Sequence, residues 1–214
     1  MKVSGHFSDH EFTQPTELRD FFEWHQGIQH YGFWAIEIHN QDCLNAITSY
    51  AQSLAHIIHP NYLRQAHITL SASGLIDPQH FTNDVLQQQI KKLKSANLPS
   101  FSLCLSNAHS FTTAPYLSIK DSTSSLEAVR DLLHKVSAGQ DASEYVPHIT
   151  LGFYNKAYKT SDILTKISKM STPNIVFPVT EIVFARYNTD EIQGPYEVLH
   201  RISLNQYISK NDKN

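Results

Sequence analysis

The tetrapeptide His-Ile-Thr-Leu fills residues 67–70 and returns at 148–151, 81 positions later. In a strand successive side chains point to opposite faces, so His67 and Thr69 share one face while Ile68 and Leu70 share the other. His148 and Thr150 stand in the same way against Ile149 and Leu151. Each copy therefore reads as a strand that anchors aliphatic groups in a core and presents an imidazole beside a hydroxyl. One copy alone would describe any half-buried strand whose outer face shows His and Thr. Near misses at 6–9 (HFSD) and 80–83 (HFTN) lack the apolar fourth residue that supplies the second anchor.

The surroundings of the two copies repeat as well. GFWAIEI at 32–38 reads as a strand, and 41–58 as a helix with an Asn40 cap, closed by Pro60. After the first motif, Asp77-Pro78 signals a helix start with Phe81, Val85, Leu86 and Leu93 as its buried stripe. FSLCLS (101–106) and YLSIK (116–120) read as strands that pair across a loop. Ser124 with Glu127 suggests a capping box for a helix reaching toward Gly139, and the second motif follows. A short helix at 161–169 and strands near 175–185 and 196–204 complete the pattern. Pro115-Tyr116 and Pro195-Tyr196 even follow their respective motif histidines by nearly equal distances. An internal duplication accounts for this order. The expected fold is α+β and bilobal: two similar antiparallel-sheet lobes with outer helices, related by a pseudo-twofold axis around a central cleft. The chain divides into an N-terminal extension (1–31) with a short helix at 16–26, a two-lobed domain (32–204) and a C-terminal tail (205–214).

Composition narrows the function. With 214 residues, 41% apolar, the chain can bury a proper core. A formal charge of -3 offers no footprint for duplex DNA or an anionic membrane. The N-terminus lacks the apolar core of a signal peptide, no run is long enough to span a bilayer, and Cys43 and Cys104 form no spaced pattern, so cytoplasmic residence is the expectation. Thirteen histidines invite either proton-transfer chemistry or metal binding. HIIH at 56–59 places two imidazoles a helical turn apart, but no HExxH, CxxC or carboxylate cluster accompanies it, so no metal or other cofactor is assigned.

If a twofold brings the two motif faces together, two imidazoles and two hydroxyls converge on one cleft. That set suits a phosphodiester: a neutral imidazole takes a proton from the nucleophile, an imidazolium opposite protonates the leaving oxygen, and the threonines donate to the nonbridging oxygens. Such a scheme needs no metal ion.

Paired His-x-Thr motifs about 80 residues apart, in a chain of about 200, resemble the two-histidine (2H) phosphoesterase superfamily, which includes bacterial RNA 2',5'-ligase-like proteins and cyclic phosphodiesterases. The resemblance spans roughly residues 32–204. It implies a bilobal fold with both motifs lining a groove, and metal-independent hydrolysis of a 2',3'-cyclic phosphate or 2',5'-phosphodiester at RNA ends or on nucleotides. His67, Thr69, His148 and Thr150 carry over as catalytic residues. Many relatives have a basic residue soon after the second motif, where this chain has Lys156 and Lys159 in LGFYNKAYK. Phe153, Tyr154, Tyr116 and Tyr145 are candidates to stack a base, and Arg64 to meet a phosphate. The implied partner is an RNA terminus or a small nucleotide. Two other readings stay open: a noncatalytic module gripping RNA ends in the same groove, and a histidine-rich metal protein.

Overall fold

A computed structural model of the chain describes residues 7–137 and 145–205, so the expected helix stop at Gly139 and nearly all of the C-terminal tail lie outside the described residues. Among the described residues eight strands and five α-helices follow one another. They are α1 (Phe22–His25), β1 (His30–Glu37), α2 (Gln41–Ser53), β2 (His67–Leu75), α3 (Asn83–Ala96), β3 (Phe101–Ser110), β4 (Pro115–Lys120), α4 (Ser125–His134), β5 (His148–Thr150), α5 (Thr160–Ile167), β6 (Ile175–Val179), β7 (Glu181–Asn188) and β8 (Tyr196–Ser203). The strands make two four-stranded antiparallel sheets, ordered β2-β1-β7-β8 and β5-β4-β3-β6. The α+β, two-lobed architecture is the expected one.

The lobes are not, however, successive halves of the chain. The strand pair after the first motif does not return to its sheet: β3 and β4 join the second motif's sheet, and β7 and β8 complete the first. The stretch expected as one strand at 175–185 is split by Thr180 into β6 and β7, which belong to different sheets. This exchange places each Pro-Tyr pair beside the other motif from the one it follows: Tyr116 opens the strand next to β5, and Tyr196 packs on His67.

Local chemistry sets the element ends. The Asn40 side chain accepts from Cys43 N–H at 3.0 Å, the cap foreseen for α2. Asp77 instead ties a separate turn, accepting from the backbone N–H groups of Gln79 and His80, and α3 starts later behind Thr82, whose hydroxyl accepts from Val85 N–H. Ser124 makes no capping bond. It sits in the left-handed region at φ 56°, and Asp121 caps α4 by accepting from Leu126 N–H at 2.7 Å. The helix expected over 16–26 shrinks to the single turn α1, with Leu18 and Phe22 largely exposed. Residues 13–16 are drawn away from helix by backbone bonds to the second lobe: Thr13 N–H to Tyr158, Gln14 N–H to Thr112 and Thr16 N–H to Tyr154. The N-terminal extension is thus a strap laid over the loop that follows β5.

The core lies between sheets and helices, with Trp34, Ile68, Leu70, Leu105, Leu117, Ile149 and Phe184 essentially inaccessible. Trp34 carries a polar group into the core, and its indole N–H donates to Gln89 at 2.8 Å. No helix of the described residues is long and apolar enough to cross a membrane.

Candidate active site at the seam of two sheets

Each motif strand is the edge of its sheet, and the two edges, β2 and β5, pack against each other. The alternation read from the sequence holds. Ile68 and Leu70 are fully buried on one face and Ile149 on the other strand's equivalent, while His67, Thr69, His148 and Thr150 are partly exposed. His148 lies close enough to bear on the charge of His67. The four motif residues therefore meet at one seam.

Both imidazoles are held by the same device. His67 Nδ1 lies 2.7 Å from the carbonyl of Gln65, and His148 Nδ1 lies 2.7 Å from that of Val146. A carbonyl oxygen only accepts, so the proton of each neutral ring sits on Nδ1, and each Nε2 keeps its lone pair. Neither threonine hydroxyl is used by a protein partner among the described residues, which leaves both available to a ligand's oxygens.

Aromatic rings wall each imidazole. Phe33 and Tyr196 stand 5.3 and 5.2 Å from His67, and Phe111 and Tyr116 stand 4.8 and 5.3 Å from His148, centroid to centroid. Rings solvate an imidazolium far less well than water does, so burial pushes His67 down to about 4, helped by Arg64 and His148 and opposed by the Gln65 carbonyl and Glu37. Desolvation lowers His148 as well. Both rings are neutral in the unliganded groove at pH 7. Three of these four wall residues, Phe33, Tyr196 and Phe111, were not singled out from the sequence. The Pro-Tyr pairs were a usable signal for Tyr196, but only strand exchange reveals which motif it serves.

Of the other sequence candidates, Tyr116 lies opposite Thr150 in the β4–β5 register and walls the groove. Arg64 lies near His67 with its guanidinium 4.2 Å over the Tyr187 ring, steadied by the carbonyls of Ile192 and Gly194. Tyr154 requires a correction. It is fully buried and its hydroxyl is engaged with Ser110 at 2.6 Å, so it belongs to the core and has no face for a base. Tyr145 stitches the seam: its hydroxyl donates to the Thr69 carbonyl at 3.0 Å, and the Arg130 guanidinium covers its ring at 3.6 Å. Phe153 meets Tyr62 edge to face, and Lys156 is exposed on the strap-covered loop, its carbonyl accepting from the Thr13 hydroxyl. Gly152, just after the second motif, has φ 148° and leaves Ile58 so close that a Cβ would meet it at 2.9 Å.

Several remaining histidines have structural duties. His25 is buried between Asp20 and the Gly27 N–H, and His59 Nε2–H donates to the Thr16 carbonyl, anchoring the strap. Among the described residues, one group could hold a metal ion, Glu37, His39 and Glu181. Arg201 already bridges its two carboxylates, reaching Glu37 at 2.7 Å and Glu181 at 2.5 Å.

Residues 40–191 match the profile of the 2'-5' RNA ligase superfamily. The chain belongs to this superfamily. Its fold is shared with Escherichia coli LigT in complex with 3'-AMP, at TM-score 0.58 and 17% identity over 82% of this chain and 98% of that one. A conserved Agrobacterium tumefaciens protein, ATU0111, aligns at TM-score 0.58 and 11% identity over 90% of this chain and 94% of its own. TT0787 of Thermus thermophilus aligns at TM-score 0.57 and 13% identity, over 83% of this chain and all of that one. No individual curated protein is similar enough in sequence to be matched.

Proposed function

We propose that this superfamily member is a metal-independent phosphoesterase that hydrolyses a 2',3'-cyclic phosphate or a 2',5'-phosphodiester of RNA ends or nucleotides. The observation that carries the reading is the pairing itself: two imidazoles on facing sheet edges, each held through Nδ1 and offering Nε2. Structures of E. coli LigT hold 3'-AMP, phosphate, ATP and NADP+, all of them phosphate-bearing, which supports a phosphate ligand in the same fold.

The chemistry follows from the neutral state of both rings. One Nε2 takes a proton from water as its oxygen bonds to phosphorus. The other must arrive protonated, and the anionic phosphodiester supplies the reason, since a negative charge alongside raises a histidine that burial has lowered. That imidazolium then protonates the ribose oxygen as its bond to phosphorus breaks. Thr69 and Thr150 donate to the nonbridging oxygens, and Arg64 adds positive potential on the His67 side.

This gives a signed pH prediction. In the free enzyme the singly protonated pair becomes scarcer as pH rises above the depressed histidine values, so kcat/KM is expected to decline through the neutral range. In the complex the phosphate restores protonation, and the kcat profile is expected to extend about one pH unit or more higher. Coincident profiles would contradict the phosphate-assisted protonation.

The noncatalytic reading draws on the same fact, because an unliganded groove with two neutral imidazoles lacks a ready acid. Turnover decides between them. A nucleoside 2',3'-cyclic phosphate is expected to be opened at equal rates with and without EDTA. Activity lost in EDTA and restored by zinc would refute the metal-independent mechanism, and binding with no product would favour the noncatalytic module.

A further inference from the structure

Aromatic contacts do not stop at the imidazole. On the groove face of the first sheet a row of rings leads away from His67, from Phe33 at 5.3 Å to Tyr187 at 5.8 Å, Tyr31 at 5.3 Å and Trp24 at 5.6 Å. Four such steps outrun a single nucleoside. The far end is built to stay put. Trp24 is 45% exposed, yet its helical turn is fixed by the buried His25, bracketed between the Asp20 carboxylate and the Gly27 N–H. The only other tryptophan, Trp34, is wholly buried, so exposing Trp24 is not a general habit of the chain. Midway along the row the Arg64 guanidinium lies over Tyr187, held there by the carbonyls of Ile192 and Gly194, and places a fixed positive charge beside the rings. Trp24 and Tyr31 lie outside the superfamily match at 40–191.

Phe33 is buried and Arg64 covers Tyr187, so the open part of the row is its outer end. We infer that this end, Tyr31 and Trp24, is a stacking track for a nucleobase beyond the nucleotide bearing the reacting phosphate, and that the preferred substrate is therefore a short RNA end rather than a mononucleotide. The inference rests on the phosphoesterase reading for its chemistry but not for its binding geometry. Overall negative charge, with Asp190 and Glu191 exposed nearby, argues for a few nucleotides and against a long polymer.

The test compares a dinucleotide ending in a 2',3'-cyclic phosphate with the corresponding nucleoside 2',3'-cyclic phosphate. The ratio of their kcat/KM values is expected to favour the dinucleotide in the wild type and to fall about tenfold in Trp24→Ala, the loss of one stacked base. Phe22→Ala, on the same turn but outside the row, is expected to keep the wild-type ratio. The dinucleotide should also quench tryptophan emission more than the mononucleotide does. A ratio near one in the wild type, or one unchanged by Trp24→Ala, overturns the track. If neither compound turns over, the phosphoesterase reading fails while quenching still decides: stronger quenching by the dinucleotide upholds the track, and equal or absent quenching overturns it.

Discussion

Changing His148 to alanine is expected to reduce kcat on a nucleoside 2',3'-cyclic phosphate by about 10²- to 10⁴-fold, with His67→Ala in the same range. Each ring is one half of a proton-transfer pair, and neither wall of aromatics contains a group able to replace it. Both histidines are partly exposed, and each is bound to the fold by one backbone hydrogen bond, so thermal unfolding should shift by only a few degrees. Turnover and unfolding temperature measured on the same preparations separate chemistry from folding. Less than a tenfold loss in either variant would remove that imidazole from the reaction.

The largest effect on stability is expected at Arg130. Its guanidinium is buried, reaches from α4 across the seam to the Leu70 carbonyl on β2, and covers the Tyr145 ring, whose hydroxyl serves the adjacent Thr69 carbonyl. An edge strand ordinarily leaves such carbonyls to water, and here two side chains of the opposite lobe satisfy consecutive ones. Arg130→Ala opens a cavity and strips Leu70 of its partner, at a cost of about 3 kcal/mol, or about 6–12 °C in Tm for a chain of this size. Arg130→Lys is expected to fall between, because a point charge cannot bond the carbonyl and cover the ring together. An alanine variant that melts with the wild type would show that the seam is held by other contacts.

Much of the site was legible because its signal is local. Four letters with period-two alternation specify a strand, its buried face and its chemical face, and finding them twice in similar company suggested convergence. The Asn40 cap and most strands were readable for the same reason. What escaped depends on pairing. Phe33 and Tyr196 gain meaning only once β1 and β8 are known to share the sheet of His67, a relation that spans most of the chain. Tyr154 follows the second motif closely, yet the turn at Gly152 sends it into the core rather than along the groove. The strap misled in another way. Apolar spacing over 16–26 is helical, but Thr16 at its start is tied by its N–H to the Tyr154 carbonyl and by its own carbonyl to His59, which draws that end away from helix.

The exchange of strands between lobes has a consequence for a chain emerging vectorially from the ribosome. His67 is made well before Tyr196, one of the two rings that shield it, which sits on β8. The first imidazole must therefore wait, solvated and with an ordinary affinity for protons, until the chain has been made as far as β8 and can close over it. Nascent chains halted before that strand should be inert, however completely their own sequence carries both motifs.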